Sequence, residues 1–511
     1  MKGAARFAAA LGLICAFLRI GIERQPEAAA TQNPPPAPPT EADAIAVCGT
    51  CHAVPPPDVL PRAAWHNSFV RMALIREGMP EPAVGPSALA TMVPLPPDMA
   101  RLLRWYEQRA PEKLPPAETW PPPNPSGFHR REILYTDTPP YPAVSNLRLV
   151  DLSGDPRPEL LVTDMRNGLV LRTRPYDAQP TLEVVARSPH PARVTLVDLD
   201  RNGTKDLLVG DLGEFLPRDH EKGAVLWLEG RKDGSYAPHE LARLPRVADV
   251  EAADFDGDGD LDVLVAAFGW RKQGRIVMLE NRTTNWRAPT FTTHEVDPRP
   301  GTISVPPVDI NGDGRMDFIA LVSQQFETVV VFINTGKPFE FRQETIYTAP
   351  HPNWGSSSIH VIDFDKDRDL DVLLANGDMF DDTILKPYHG ITLLENRGTF
   401  PFTSRRLAGL AGVHPAIVTD FDGDGDHDVV AAALVSANVG AALPAVVWLE
   451  QVKGGEFERH TLAAGAPRHA TLDVGDIDGD GDNDVAVGAF TFDKPSWALV
   501  EVWESLAARR R

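Results

Sequence analysis

The stretch Asp254-Phe-Asp-Gly-Asp-Gly-Asp-Leu-Asp-Val-Leu-Val265 decides the architecture of this 511-residue chain. Aspartates stand at positions 1, 3, 5 and 9, glycine at position 6 permits a tight turn, and an apolar strand-forming run follows. Related units begin at Asp198 (DLDRNGTKDLLV), Asp309 (DINGDGRMDFIA), Asp363 (DFDKDRDLDVLL), Asp420 (DFDGDGDHDVVA) and Asp476 (DIDGDGDNDVAV), with a decayed copy at Asp151 (DLSGDPRPELLV). That makes seven, and after a first interval of 47 residues the spacing stays between 54 and 57. A fixed period of this size means a propeller or an array.

The residues between the loops favour the propeller. Each loop is followed by an apolar strand, then by a second such as Arg275 to Glu280 or Val446 to Glu450. Most repeats close with a third, as in Phe291-Thr-Thr-His-Glu-Val296 and Phe457-Glu-Arg-His-Thr-Leu462. With the strand that enters the next loop, each unit has the four short strands of a propeller blade. The last unit lacks its closing strand, and Phe128-His-Arg-Arg-Glu-Ile-Leu134, ahead of the first loop, supplies it. The expected fold is therefore mainly β: a seven-bladed β-propeller over 128–506, closed where its two ends share a blade, with a small all-α domain before it.

The Asp loops carry the first candidate chemistry. Clustered carboxylates repel unless a cation neutralises them, and Ca²⁺ takes six to eight oxygens. The candidate ligands are Asp198, Asp200, Asn202 and Asp206; Asp254, Asp256, Asp258 and Asp262; Asp309, Asn311, Asp313 and Asp317. The later loops add Asp363, Asp365, Asp367 and Asp371; Asp420, Asp422, Asp424 and Asp428; Asp476, Asp478, Asp480 and Asp484. An EF-hand needs glutamate at position 12 and a following helix. Position 12 is instead Val265, Ala320, Ala431 or Val487, so that reading fails. Arg368 replaces glycine in the loop at 363, where strain is expected, and Ser153, Pro156 and Glu159 weaken the loop at 151. The bland alternative is that the aspartates only cap Asx-type turns. The units resemble the FG-GAP or VCBS repeat family, which implies a Ca²⁺-binding β-propeller over residues 128 to about 506 and implies no reaction.

Charge and termini bound the rest. Seventy-one acidic against 50 basic residues give a net charge of −21, which argues against a nucleic-acid partner. Lys2 and Arg6 precede an apolar run from Phe7 to Leu18, and Ala28-Ala29-Ala30 offers small residues for cleavage. Residues 1–30 thus read as a signal peptide or an uncleaved N-terminal anchor, the only expected membrane contact. The protein is expected to be exported to the periplasm or cell envelope. Pro-rich linkers are expected at 31–40 and 113–127, a helical domain at 41–112 and a basic tail at 507–511.

Within the helical segment lies Cys48-Gly-Thr-Cys51-His52; the only other cysteine is Cys15. A redox disulfide would want a βαβ context, and a zinc site a second cysteine pair. Cys-x-x-Cys-His with export and helices reads as covalent attachment of one haem c, with His52 as proximal ligand. The segment resembles a small cytochrome c domain, which implies a methionine as sixth ligand. Met72, on a helical face with Trp65 and Phe69, is the first choice and Met79 the runner-up; Met92, Met99 and His66 rank below.

A third site is conceivable in the propeller channel, where Asn146, Arg193, Asp249, Ser304 and Ser358 stand five residues before their loops. His190, Arg246, His414, Arg468 and His469 lie near them in sequence. Three functions compete. The leading one is an electron-transfer module fused to a calcium-stabilised propeller that docks an unknown redox partner. The second is a periplasmic haem-dependent dehydrogenase, an oxidoreductase with a small-molecule or carbohydrate ligand in the channel. The third is a surface adhesion or scaffold protein.

Overall fold

The computed structural model describes residues 38–79, 93–380, 382–435, 442–492 and 494–506. The expected signal or anchor at 1–30, Cys15, Met92 and the basic tail lie outside these residues.

Among the described residues, three α-helices precede the sheet region: α1 (Glu41–Cys48), α2 (Trp65–Glu77) and α3 (Pro97–Arg109). A capping box starts α1, with the Asp43 amide donating to Thr40 Oγ1 and the Thr40 amide to the Asp43 carboxylate. Helix α2 stops at Gly78, whose φ of +68° is the left-handed C-cap that glycine reaches without strain. The residues expected on one face do bury together. Trp65, Phe69 and Tyr106 pack edge-on or tilted against one another, and Leu60, Leu102, Met99, Ala44 and Cys48 lie in the same core, with Met72 at its margin.

Seven antiparallel sheets follow, and in six of them strand order is sequential. Blade 3 shows the plan: Val247–Ala253 innermost, then Asp262–Ala267, Arg275–Asn281 and Phe291–Asp297. The Asp loop joins the first strand to the second. In all seven blades the second strand is buried at every position, because neighbouring blades cover both faces. The two-residue period divides its side chains: Leu207 and Val209 pack toward blade 1, and Leu208 toward blade 3. Blade 4 has a broken inner strand, Thr302–Ser304 and Pro307–Val308, as the consecutive prolines 306 and 307 lack amide donors.

Blade 7 is composite. Phe128–Leu134 pairs antiparallel with Ala498–Ser505, so the strand ahead of the first repeat completes the last blade. The composite blade joins the two ends of the ring and gives the seventh sheet its fourth strand. The chain just before this strand is strapped across blades 5 and 6. Glu118 pairs with Arg406 at 3.3 Å and also with Arg459 at 2.5 Å. Trp120 Nε1 donates to Gly409 O at 2.9 Å under the Arg459 guanidinium, and the Asn124 amide donates to Thr461 O at 2.8 Å. Ile384 and Tyr388, in the connection inside blade 5, pack on the helical core, and Tyr388 Oη donates to Val59 O at 3.4 Å.

Candidate functional site

The Asp loops are built by short-range hydrogen bonds. In blade 3, Asp254 accepts the amides of Gly257 and Gly259 at 2.8 and 3.1 Å, and Asp256 and Asp258 accept those two residues on. Gly259 at φ +96° permits the turn. The Asx turns considered from sequence are therefore present, yet the carboxylates also converge. One oxygen each of Asp254, Asp256 and Asp262 lies within 4.8 Å of the others. The same holds for Asp198, Asp200 and Asp206; Asp363, Asp365 and Asp371; and Asp420, Asp422 and Asp428. Position 5 is not part of these trios: Asp258 turns its carboxylate to the Asp260 amide at 3.0 Å.

Position 9 has a second role that the spacing did not reveal. Asp262 Oδ2 accepts the Phe255 amide at 3.2 Å, and Oδ1 accepts the Asn281 amide at 2.9 Å. Asp206, Asp317, Asp371, Asp428 and Asp484 repeat this clip, each holding the amide at position 2 and an amide within one residue of the end of the third strand. These six carboxylates are at most 2% exposed. Burial, opposed by those amides and reinforced by neighbouring aspartates, pushes Asp262 and Asp484 up to about 7 and Asp371 and Asp428 to about 6. A bound dication would invert that balance. One oxygen of each position-1 aspartate in three loops (Oδ1 of Asp198, Asp363 and Asp420) is buried with no protein hydrogen-bond partner, as expected of an atom facing an ion.

The loops differ as their sequences do. In blade 1, Arg157 pairs with Asp155 at 3.2 Å and Arg174 with Glu159 at 3.4 Å, so arginines supply the positive charge. In blade 4, Arg315 pairs with Asp313. In blade 5, Arg368 is held at φ +81°, the left-handed conformation that its side chain disfavours.

At the end of α1, Cys48 is buried and Cys51 exposed, and neither is in a disulfide. His52 Nδ1 lies 2.8 Å from Ala53 O, which fixes the ring and leaves Nε2 for another partner. Met72 borders the core that contains Cys48, Met99 is buried within it, and Met79 is 55% exposed just past α2. Two thiols, an imidazole with one nitrogen unengaged and a thioether at the core margin are a donor set that fits a covalent haem.

The channel residues do not form one constellation. Arg193 pairs with Asp249 at 2.9 Å and lies 3.7 Å from Glu251, while Arg148 reaches Thr195 Oγ1 at 3.3 Å. A recess of about 290 Å³ lies beside Arg148, Thr195 and Glu251. Burial, with Asp249 adding to it, lifts Glu251 to about 7. Asn146 accepts the Val194 amide, and Ser358 donates to His414 O. Ser304 is buried in the inner strand of blade 4. The others turn elsewhere: Arg246 to Glu214 O and Leu216 O, Arg468 to Glu501, His190 to Met165 O and His469 to Gly488 O. Sequence reasoning missed His360, whose Nδ1 accepts the Val418 amide at 3.0 Å and which burial holds down at about 4.

Fold and loops together define a seven-bladed β-propeller with acidic loops at one end of its blades. Residues 309–374 and 420–487 match the family described as "FG-GAP-like repeat". No curated protein matches the sequence. Among solved structures, a catalytically inactive virginiamycin B lyase variant from Staphylococcus aureus with quinupristin is similar at 10% identity. The match covers 74% of this chain and 99% of that one, with a TM-score of 0.45. No described helix is long and apolar enough to cross a membrane.

Proposed function

We propose that this protein is an exported electron-transfer protein in which a monohaem c-type module is joined to a calcium-stabilised propeller that docks a redox partner. The observation that carries the reading is the Cys48-x-x-Cys51-His52 segment at the end of α1, with the His52 ring oriented through Nδ1 and Cys48 in the core bordered by Met72. Cys48 and Cys51 would hold the haem covalently, His52 would be its proximal ligand and Met72 the sixth, with Met79 as runner-up. Bound haem supplies one-electron redox chemistry. The protein's own part is to orient His52, keep Cys48 out of water and cover one side with the Trp65–Phe69–Tyr106 core. The propeller's part is rigidity, with Ca²⁺ at the trios neutralising carboxylates that otherwise repel.

The test is an absorption spectrum, oxidised and dithionite-reduced, of protein made in a host with cytochrome c maturation machinery, together with a haem-stained denaturing gel. A stained band and a sharp reduced α-band support the reading; loss of both in Cys48→Ala,Cys51→Ala locates the attachment. An unstained band removes electron transfer and leaves a Ca²⁺-binding propeller. A second reading, a haem-dependent oxidoreductase acting on a small molecule, is favoured by the recess beside Arg148, Thr195 and Glu251.

A further inference from the structure

The outer strands of five blades repeat one arrangement. The residue just before the outer amide held by the position-9 clip is a glutamate: Glu229, Glu280, Glu395, Glu450 and Glu504. Diagonally across, on the fourth strand, stands a base that pairs with it. It is histidine in blades 2, 3 and 6 (His239, His294 and His460) and arginine in blades 5 and 7 (Arg405 and Arg131). The residue directly opposite the glutamate is what varies. It is Ala237, Thr292, Thr403 and His129 in blades 2, 3, 5 and 7, but Glu458 in blade 6.

Blade 6 therefore sets two carboxylates face to face on neighbouring strands, Leu443–Val452 and Glu456–Gly465. Like charges directly opposite one another destabilise a sheet. Elsewhere arginine offsets the charge at this register: Arg282 pairs with Glu280, and Arg397 and Arg405 with Glu395. Neither Glu450 nor Glu458 has a lysine or arginine partner among the described residues; Glu450 pairs with His460 alone. Arg405 and Arg459, the nearby cations on the outer strands, are committed to Glu395 and Glu118. The donors converge. One oxygen of Glu450, one of Glu458 and a ring nitrogen of His460 all lie within 4.8 Å of one another. His460 Nε2 is 2.7 Å from Glu450 Oε2, and its ring stacks at 4.5 Å on Trp448, the residue opposite it on the third strand. All three side chains project from one face of a strand pair, a more rigid base than a loop. His460 and Glu450 are 33% and 28% exposed, which leaves the cluster open to an ion from solvent.

Two carboxylates and an imidazole are a ligand set for a first-row divalent metal, whereas Ca²⁺ and Mg²⁺ prefer oxygen alone. Zn²⁺ accepts three protein ligands with water in the fourth position, and bonds of about 2.0–2.2 Å in a tetrahedron place neighbouring donors roughly 3.4 Å apart. The three donors stand near that spacing, and two carboxylates balance the charge of the ion. We propose that Glu450, Glu458 and His460 form a site for one divalent ion such as Zn²⁺ on the outer strands of blade 6, distinct from the Asp loops. The proposal is independent of the haem reading.

The test is a calorimetric titration of the full chain with Zn²⁺ in saturating Ca²⁺, on haem-loaded protein or on Cys48→Ala,Cys51→Ala so that thiols do not compete. One tight equivalent of Zn²⁺ is expected. Glu458→Thr, which gives blade 6 the residue found at this register in blades 3 and 5, should weaken it at least about tenfold, and so should His460→Gln. In chelator, Glu458→Thr should keep or raise the melting temperature, since it removes a like-charge pair; that separates metal loss from misfolding. His294→Gln, at the two-ligand counterpart in blade 3, must leave the titration unchanged. No Zn²⁺ bound in saturating Ca²⁺, or binding unaltered by Glu458→Thr, overturns the proposal and leaves Glu450 and His460 an ordinary ion pair.

Discussion

Replacing Asp262 by alanine tests whether position 9 is a structural clip as well as a candidate ligand. Its two oxygens hold the Phe255 and Asn281 amides at 3.2 and 2.9 Å, and Asp262 itself is 1% exposed. Removing the carboxylate leaves two buried amides without an acceptor, at about 1–3 kcal/mol each, so Asp262→Ala should cost roughly 2–6 kcal/mol even in chelator. Asp256→Ala is the control: its carboxylate accepts one loop amide, from Asp258 at 3.1 Å, and should cost under about 1 kcal/mol in chelator. With Ca²⁺ at a hundredfold over its dissociation constant, the parent protein gains about 2.7 kcal/mol per filled site, and both variants should forfeit that gain at this loop. A ring of seven sheets need not unfold in one step, so the assay is amide hydrogen exchange at Phe255 and Asn281, with and without Ca²⁺. Loss of about 3 kcal/mol accelerates exchange at these amides by more than about a hundredfold. If Asp262→Ala in chelator exchanges no faster there than Asp256→Ala, the clip reasoning is wrong.

Three further outcomes are expected. Arg368→Gly should stabilise the protein by about 1 kcal/mol, read from thermal melting in Ca²⁺, because glycine accepts the φ of +81° that arginine does not; an unchanged or lower melting temperature would count against strain. Glu118→Ala should free the strap at 113–127, seen as faster proteolytic cleavage there with little change in propeller melting, since the Glu118 pairs with Arg406 and Arg459 are partly exposed and worth at most about 1 kcal/mol each. His360 is held neutral, its folded value about 4 lying below the usual 6.5, so the unfolded chain binds more protons between those values. Its contribution is complete above pH 6.5 and is lost as pH falls toward 4, by up to roughly 3 kcal/mol. His360→Asn, which keeps an acceptor for the Val418 amide, should flatten that part of the acid-unfolding profile; an unaltered slope would exclude His360 as its source.

The repeat made most of the fold legible. Period, strand pattern and the unpaired end of the last unit were enough to expect seven blades and a composite closing blade, because each repeat is a local unit whose apolar strand must be covered by its neighbours. Helix faces were legible for the same reason: Trp65, Phe69 and Met72 lie at helical spacing, and the structure places them on one side of α2. The acidic loops were visible as candidates since their carboxylates lie within one turn. That positions 1, 3 and 9 converge while position 5 turns to a loop amide depends on backbone conformation, which residue identity leaves open.

Side-chain contacts between distant segments were not legible. Nothing in the order of residues says that Glu118 meets Arg406 and Arg459, that Asp262 reaches the Asn281 amide, or that Tyr388 bonds to Val59. The sequence by itself determined the repeating strands, the acidic turns and the Cys-x-x-Cys-His segment, because periodicity and short-range spacing act within a few residues. Only the tertiary structure decided which charges are neutralised and which imidazoles stand buried, because burial and long-range pairing exist only once the ring has closed.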